Sequence, residues 1–211
     1  MRVEIYSTEE QQVDAIKQFW KDYGTSILVG AVVGLGGLYG WNYFSAQKVE
    51  NAESASVAFQ QIRNQNPDAA TLAGQIANFD KAHDQKGYQA LLDLMLAKQA
   101  VEAGDLTKAA DALTQVIAAK PGSGLGEIAT LRLARIQAQE GQIGTALSTL
   151  DTVTDAAFAA QRDELKGDFL VRQGETDKAR TAYLAAKDAL AAEGQMESPA
   201  LQMKIDNLNK A

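Results

Sequence analysis

His83 is the one imidazole in this chain, and there is no cysteine. The histidine stands in Asp80-Lys81-Ala82-His83-Asp84. A metal site needs several converging ligands, so this residue reads as a helix-end surface histidine. No nucleophile–base constellation can be assembled around one histidine without a thiol, and the many carboxylates show no pairing signal. Gly122-Ser123-Gly124-Leu125-Gly126 is glycine-rich, but it follows no strand and lacks the Lys-Ser/Thr of a phosphate loop. It reads as a plain loop. No catalytic, cofactor-binding or metal-binding residue is therefore expected, and the chain is not expected to be an enzyme. With 20 basic and 27 acidic side chains the net charge is −7. Nucleic acid is bound through a basic stripe that displaces counterions, and none is visible.

What remains is contact chemistry, and the elements that would position it are helical. Residues 23–47 carry no charged side chain, and Ile27 to Phe44 reads ILVGAVVGLGGLYGWNYF. About 20 apolar residues cross a bilayer core of about 30 Å. The segment starts late and is preceded by an acidic stretch, and Phe44 stands where a cleavage site needs a small residue. These features predict an uncleaved anchor, not a signal peptide. Phe19, Trp20 and Tyr23 precede the span, and Tyr39, Trp41, Tyr43 and Phe44 mark its exit. Such rings suit the headgroup interface. Lys17 and Lys21 beside the entrance favour a tail on the inside and a domain on the outside. Ser26, Gly30, Gly34 and Gly37 share one face of the span, where small residues let another helix approach closely.

The flanks are read as follows. Thr8-Glu9-Glu10-Gln11 fits a capping box opening a short amphipathic helix with Val13, Ile16, Trp20 and Tyr23 on one face. Beyond the span, Val49, Ala52, Ser56, Phe59 and Ile62 recur at helical spacing. Asn66-Pro67 reads as a capping residue and the first position of the next helix, which carries Leu72, Ile76 and Phe79. Ser198-Pro199 opens a last helix with Leu201, Ile205 and Leu208.

Between these flanks the chain repeats itself. Gly104, Gly141 and Gly174 are each followed five residues later by Ala109, Ala146 and Ala179. Nine residues on come Leu113, Leu150 and Tyr183, and twelve on come Val116, Val153 and Ala186. Leu96-Ala97, Leu133-Ala134 and Gly167 stand upstream of each glycine. This resembles the tetratricopeptide repeat, in which Gly turns the chain between two antiparallel helices and a small residue lets them pack. The pattern departs at the position where the first helix expects an early aromatic: Asp93, Thr130 and Asp163 stand there, and Lys166 replaces an apolar residue.

The expected fold is therefore all-α: a single N-terminal transmembrane helix followed by a tetratricopeptide-like solenoid of antiparallel helix pairs. Its parts are a tail (1–22), a span (23–44), membrane-proximal helices capping the solenoid (45–86), three helix pairs (87–195) and a C-terminal capping helix (196–211). A stacked solenoid presents a concave face lined by first helices. By register that face includes Leu91, Leu94, Lys98, Val101, Ile128, Leu131, Arg135, Val171 and Arg172. Lys98 and Arg135 are equivalent one repeat apart, and the Lys/Asn pattern that clamps a peptide C-terminus is not evident.

Several stretches together carry a further resemblance. They are Glu4-Ile5-Tyr6, Gln12 to Phe19, Gly40-Trp41-Asn42-Tyr43, Ser54 to Phe59, Leu131-Arg132-Leu133-Ala134-Arg135 and Gln202 to Leu208. The chain resembles the YfgM family, ancillary subunits of the bacterial SecYEG translocon. The resemblance implies a single-pass type II protein of the bacterial inner membrane, with a cytoplasmic N-terminus and a periplasmic repeat domain. It implies as partners the SecYEG translocon, the periplasmic chaperone PpiD and exported polypeptides, besides the lipid bilayer. The function implied is an adaptor that helps exported proteins reach periplasmic chaperones. A scaffold that anchors another envelope complex without touching clients would use the same repeats.

Overall fold

The computed structural model describes residues 9–122, 124–194 and 198–208, and these divide between two compact units, Met1–Ser54 and Ala55–Ala211. The Thr8 capping box and the Glu4-Ile5-Tyr6 motif lie outside the described residues. Among the described residues every regular element is helical. Alanine loses no side-chain entropy in a helix, and each of the three prolines stands outside a helix interior.

α1 runs from Glu9 to Gln65 and is one helix long and apolar enough to cross a membrane. The separate amphipathic helix expected in the tail is part of this element, because no proline interrupts residues 9–65. In the first unit its large apolar side chains stand bare: Val32, Leu35 and Trp41 are 66%, 68% and 77% exposed. An apolar helical stretch this exposed fits lipid as its solvent.

The second unit contains α2 (Ala69–Ala82), α3 (Lys86–Glu102), α4 (Leu106–Ala119) and α5 (Leu125–Gln139). These are followed by α6 (Ile143–Asp151), a 3₁₀ turn (Ala156–Phe158), α7 (Ala159–Arg172), α8 (Thr176–Ala192) and α9 (Pro199–Leu208). The α2 start differs from the expectation at Asn66-Pro67. Asn66 adopts φ +44° after the end of α1, and Pro67 is buried. The cap is Asp68, which accepts from the amides of Ala70 (3.0 Å) and Thr71 (2.8 Å). The Thr71 amide in particular holds the Asp68 carboxyl below its ordinary pKa.

The repeat is built on one turn used three times. Gly104, Gly141 and Gly174 have φ of +78°, +83° and +79°, the left-handed conformation that ends a helix at little cost only for glycine. After each, an amide reaches back five residues: Asp105 to Ala100 (2.8 Å), Gln142 to Gln137 (2.9 Å) and Glu175 to Leu170 (2.9 Å). α3 with α4, α5 with α6 and α7 with α8 are joined in this way, and each first helix also meets the next. All nine residues of the repeating pattern, from Ala109 to Ala186, are buried, none more than 3% exposed.

The core is continuous across repeats because α5 is shared. Ala129 and Ile136 belong to the cluster with α2, α3 and α4, whereas Leu131, Ala134 and Ala138 belong to the cluster with α6 and α7. A third cluster joins Tyr183 and Ala186 of α8 to Leu201 and Ile205 of α9. α9 is opened by Ser198, whose Oγ accepts the Leu201 amide at 3.3 Å, with Pro199 at the first helical position. α6 ends early, at Asp151, so Val153 is buried from the turn and not from the helix. The β-branched run Thr152-Val153-Thr154 disfavours helix, and Asp155 then caps the 3₁₀ turn through the Ala157 amide at 3.0 Å.

Candidate functional site

His83 caps the C-terminus of α2, half-buried, with its ring 4.8 Å from that of Phe79. Among the described residues no group of three or more His, Asp or Glu side chains is placed to hold a metal ion. Gly122 and Gly124 have left-handed φ and turn the chain into α5.

A recess with room for a ligand lies on the first helices of the repeats. α3 supplies Leu91, Leu94, Met95, Lys98, Val101 and Glu102; α5 supplies Arg132, Arg135, Ile136 and Gln139; Leu113 of α4 lies at the floor. The volume is about 680 Å³. Arg135 and Gln139 also border a second recess of about 420 Å³, which Leu165, Asp168, Phe169 and Arg172 of α7 complete. The two form a groove that crosses α3, α5 and α7.

The turn glycines explain which residues face it. Six residues before each glycine stand Lys98, Arg135 and Asp168, and two before stand Glu102, Gln139 and Arg172. All six line the groove. The spacing of four places both sets on one stripe of each first helix. Of the residues expected from register, Leu91, Leu94, Lys98, Val101 and Arg135 line the first recess and Arg172 the second. Ile128, Leu131 and Val171 line neither: Leu131 is 2% exposed inside the second core cluster, and Val171 is a 42% exposed surface residue. Arg132 was not among the expected residues. The same position is Met95 in the first pair and Leu165 in the third, so repetition gave no sign that a charge belongs there.

The charges of the groove are used unequally. Arg172 donates to the Ala138 carbonyl at 2.7 Å, tying α7 to the end of α5. Asp168 accepts from Tyr183 Oη (2.8 Å) and from Lys204 Nζ of α9, which also reaches Glu164 at 2.8 Å. Burial and then Asp168 raise the Tyr183 pKa. Burial opposes the charge on Lys204, but its hydrogen bonds to Asp168 and Glu164 outweigh that and raise its pKa. Lys98 and Glu102 form an exposed pair at 3.6 Å. Arg132 and Arg135 make no hydrogen bond or ion pair with any described residue.

The span residues form a different surface. A Cβ placed on Gly30, Gly34 or Gly37 would meet nothing within 4 Å, so that strip of α1 is open along its length.

The family profile of the tetratricopeptide repeat-like domain matches residues 17–210. A protein of Escherichia coli (strain K12) named "Ancillary SecYEG translocon subunit" is 37% identical over 98% of this chain and 100% of its own length. Proteins of the same name from Aggregatibacter actinomycetemcomitans and Haemophilus influenzae are 33% and 31% identical, each over 95% of this chain and 97% of their own. The chain belongs to this family. The match runs through most of α1 as well as the repeats.

Proposed function

We propose that this chain is a membrane-anchored adaptor of the SecYEG translocon that helps pass exported proteins to periplasmic chaperones, PpiD among them. The observation that carries this reading is the near full-length likeness to proteins named as ancillary subunits of that translocon. The bare apolar stretch of α1 supports an anchor, and the open groove supports protein binding. In this reading the tail is cytoplasmic, the repeat domain is periplasmic, and residues 1–22, 23–44, 45–86, 87–195 and 196–211 act as tail, span, lower cap, repeats and upper cap. The strip of Ser26, Gly30, Gly34 and Gly37 packs against a helix of the translocon or of a partner. Binding and positioning are the work done, and no bond is made or broken.

Site-specific photocrosslinking tests this directly. A photoreactive residue introduced at successive positions of 26–44, and at Lys98 or Arg135, is expected to yield translocon adducts from the span. Chaperone or nascent-chain adducts are expected from the groove. Gly34→Ile should reduce span adducts while membrane insertion stays normal, because a branched side chain holds the partner backbone away. Adducts with one unrelated envelope protein only, and none with exported chains, would overturn the reading.

A further inference from the structure

The groove between α3 and α5 carries positive charge that its own surroundings do not neutralise. Arg132 and Arg135 stand three residues apart on α5 and border the same recess, and both side chains are exposed to it. Neither has a partner among the described residues. Other charges of the groove are engaged: Arg172 by the Ala138 carbonyl, Asp168 by Tyr183 and Lys204, and Lys98 by Glu102. Beside the two arginines the recess presents the apolar side chains of Leu91, Leu94, Met95 and Ile136, with the Lys98–Glu102 pair and Gln139 completing its lining. This cationic patch lies in a chain whose net charge is −7, so it runs against the general character of the surface.

Guanidinium is planar, always charged and weakly hydrated, and its donors match the two oxygens of a carboxylate. Two such groups on one helix face, about 5–6 Å apart at Cβ, match carboxylates on alternate residues of an extended segment or one turn apart on a helix. We infer that the α3–α5 groove selects polypeptide segments in which acidic side chains flank apolar anchors. The apolar anchors fill the recess of about 680 Å³ against Leu91, Leu94 and Met95. Arg132 and Arg135 take the carboxylates and set the preference. A lysine-bearing segment of the same apolar content is rejected, because it would bring like charge against two unneutralised cations. This rests on the adaptor reading above and names the class of segment the groove prefers. An internal segment suffices, since the match is to side-chain carboxylates and not to a chain terminus.

The test uses the full-length chain in nanodiscs of zwitterionic lipid. Three fluorescent peptides share the same apolar residues and carry Glu, Ser or Lys at the intervening positions. Anisotropy titrations are expected to rank Glu over Ser by about tenfold and Ser over Lys, with the Glu advantage fading in salt. In Arg132→Gln/Arg135→Gln, checked for native helicity by circular dichroism, the Glu peptide should fall to the affinity of the Ser peptide, itself unchanged. Equal binding of all three peptides to the unaltered chain would overturn the selectivity while leaving an apolar adaptor groove intact. Loss of Glu and Ser peptides alike in the double variant would make the arginines shape the groove and not select for it, and would also overturn the inference. If no peptide binds, and in separate nanodiscs containing phosphatidylglycerol the double variant retains less of that lipid than the unaltered chain, the cations serve anionic lipid. The inference then falls together with the groove's part in the adaptor reading.

Discussion

Asp93, Thr130 and Asp163 occupy one position in three successive first helices, and they are the buried polar residues among those described. A polar group taken from water needs a partner, and each solves this differently. Thr130 Oγ1 donates back to the Gly126 carbonyl at 2.8 Å. Asp163 is held by Arg162 through two bonds of 2.7 and 2.8 Å, and Arg162 also donates to the Val153 carbonyl at 3.0 Å. Among the described residues Asp93 has only the Gln89 side-chain amide, at a long 3.4 Å. Burial, against the weak pull of Gln89 and with the Asp80 charge adding to it, pushes the Asp93 carboxyl up to about 6. An unfolded aspartate titrates near about 3.9. The folded state therefore binds the proton more tightly. The contribution of Asp93 is most favourable below the unfolded pKa and is lost as pH rises through about 6. Asp93→Asn removes the charge and keeps the shape. It should raise stability at pH 7 by about 1–3 kcal/mol, with the gain shrinking to nothing near pH 4. Thermal melts of both proteins across that range measure it, and a gain independent of pH would rule out the buried charge as its source.

At the scale of elements, the helix pairs share a turn but not a packing solution. Seven residues before the turn glycine stand Ala97, Ala134 and Gly167, and nine after it stand Leu113, Leu150 and Tyr183. The first two pairs use a methyl against leucine. In α7 and α8 the glycine makes room for a ring: a Cβ on Gly167 would overlap Tyr183, whose Cζ lies 2.9 Å from it. The ring is 3% exposed and its hydroxyl donates to Asp168, which Lys204 of α9 also holds. The larger ring thus links the last pair to the helix that covers it. Gly167→Ala should destabilise by about 1–3 kcal/mol through overpacking. Gly167→Ala with Tyr183→Leu restores the arrangement of the first two pairs, so the double variant should lose less than the sum of the two single changes. Urea unfolding of the four proteins gives the coupling, and strict additivity would mean that the two positions do not meet.

At the scale of the whole molecule, the functional reading depends on which side of a membrane the repeats occupy. The charge distribution near α1 decides the expectation: Lys17 and Lys21 precede the uncharged residues 23–47, and Lys48 is the nearest cation after them. Protease added to intact spheroplasts expressing the chain is expected to digest the repeat domain and to leave a small fragment bearing the span. Full protection until the inner membrane is opened would reverse the orientation, and with it the proposed route for exported clients.

The helical class, the long apolar segment, the three turns and the burial of the residues around them were legible in the sequence. They are set by short-range rules. Gly104, Gly141 and Gly174 each need a backbone that only glycine adopts freely, and the alanine and large apolar residue that follow fall on one helix face. A smaller part of the groove was legible for the same reason, since Lys98 and Arg135 keep a fixed offset from the turn. Tertiary structure decided the rest. Leu131 was expected on the open face and lies in the core, because α5 is buried between neighbours on two sides. Arg132 was not expected and borders the groove, because one repeat's charge does not recur in the others. Which cations remain free is also beyond a linear pattern. Arg172 finds its partner 34 residues away and Lys204 finds Asp168 36 residues away. Such pairings depend on how the stacked helices bring distant side chains together, and only the packed chain fixes that.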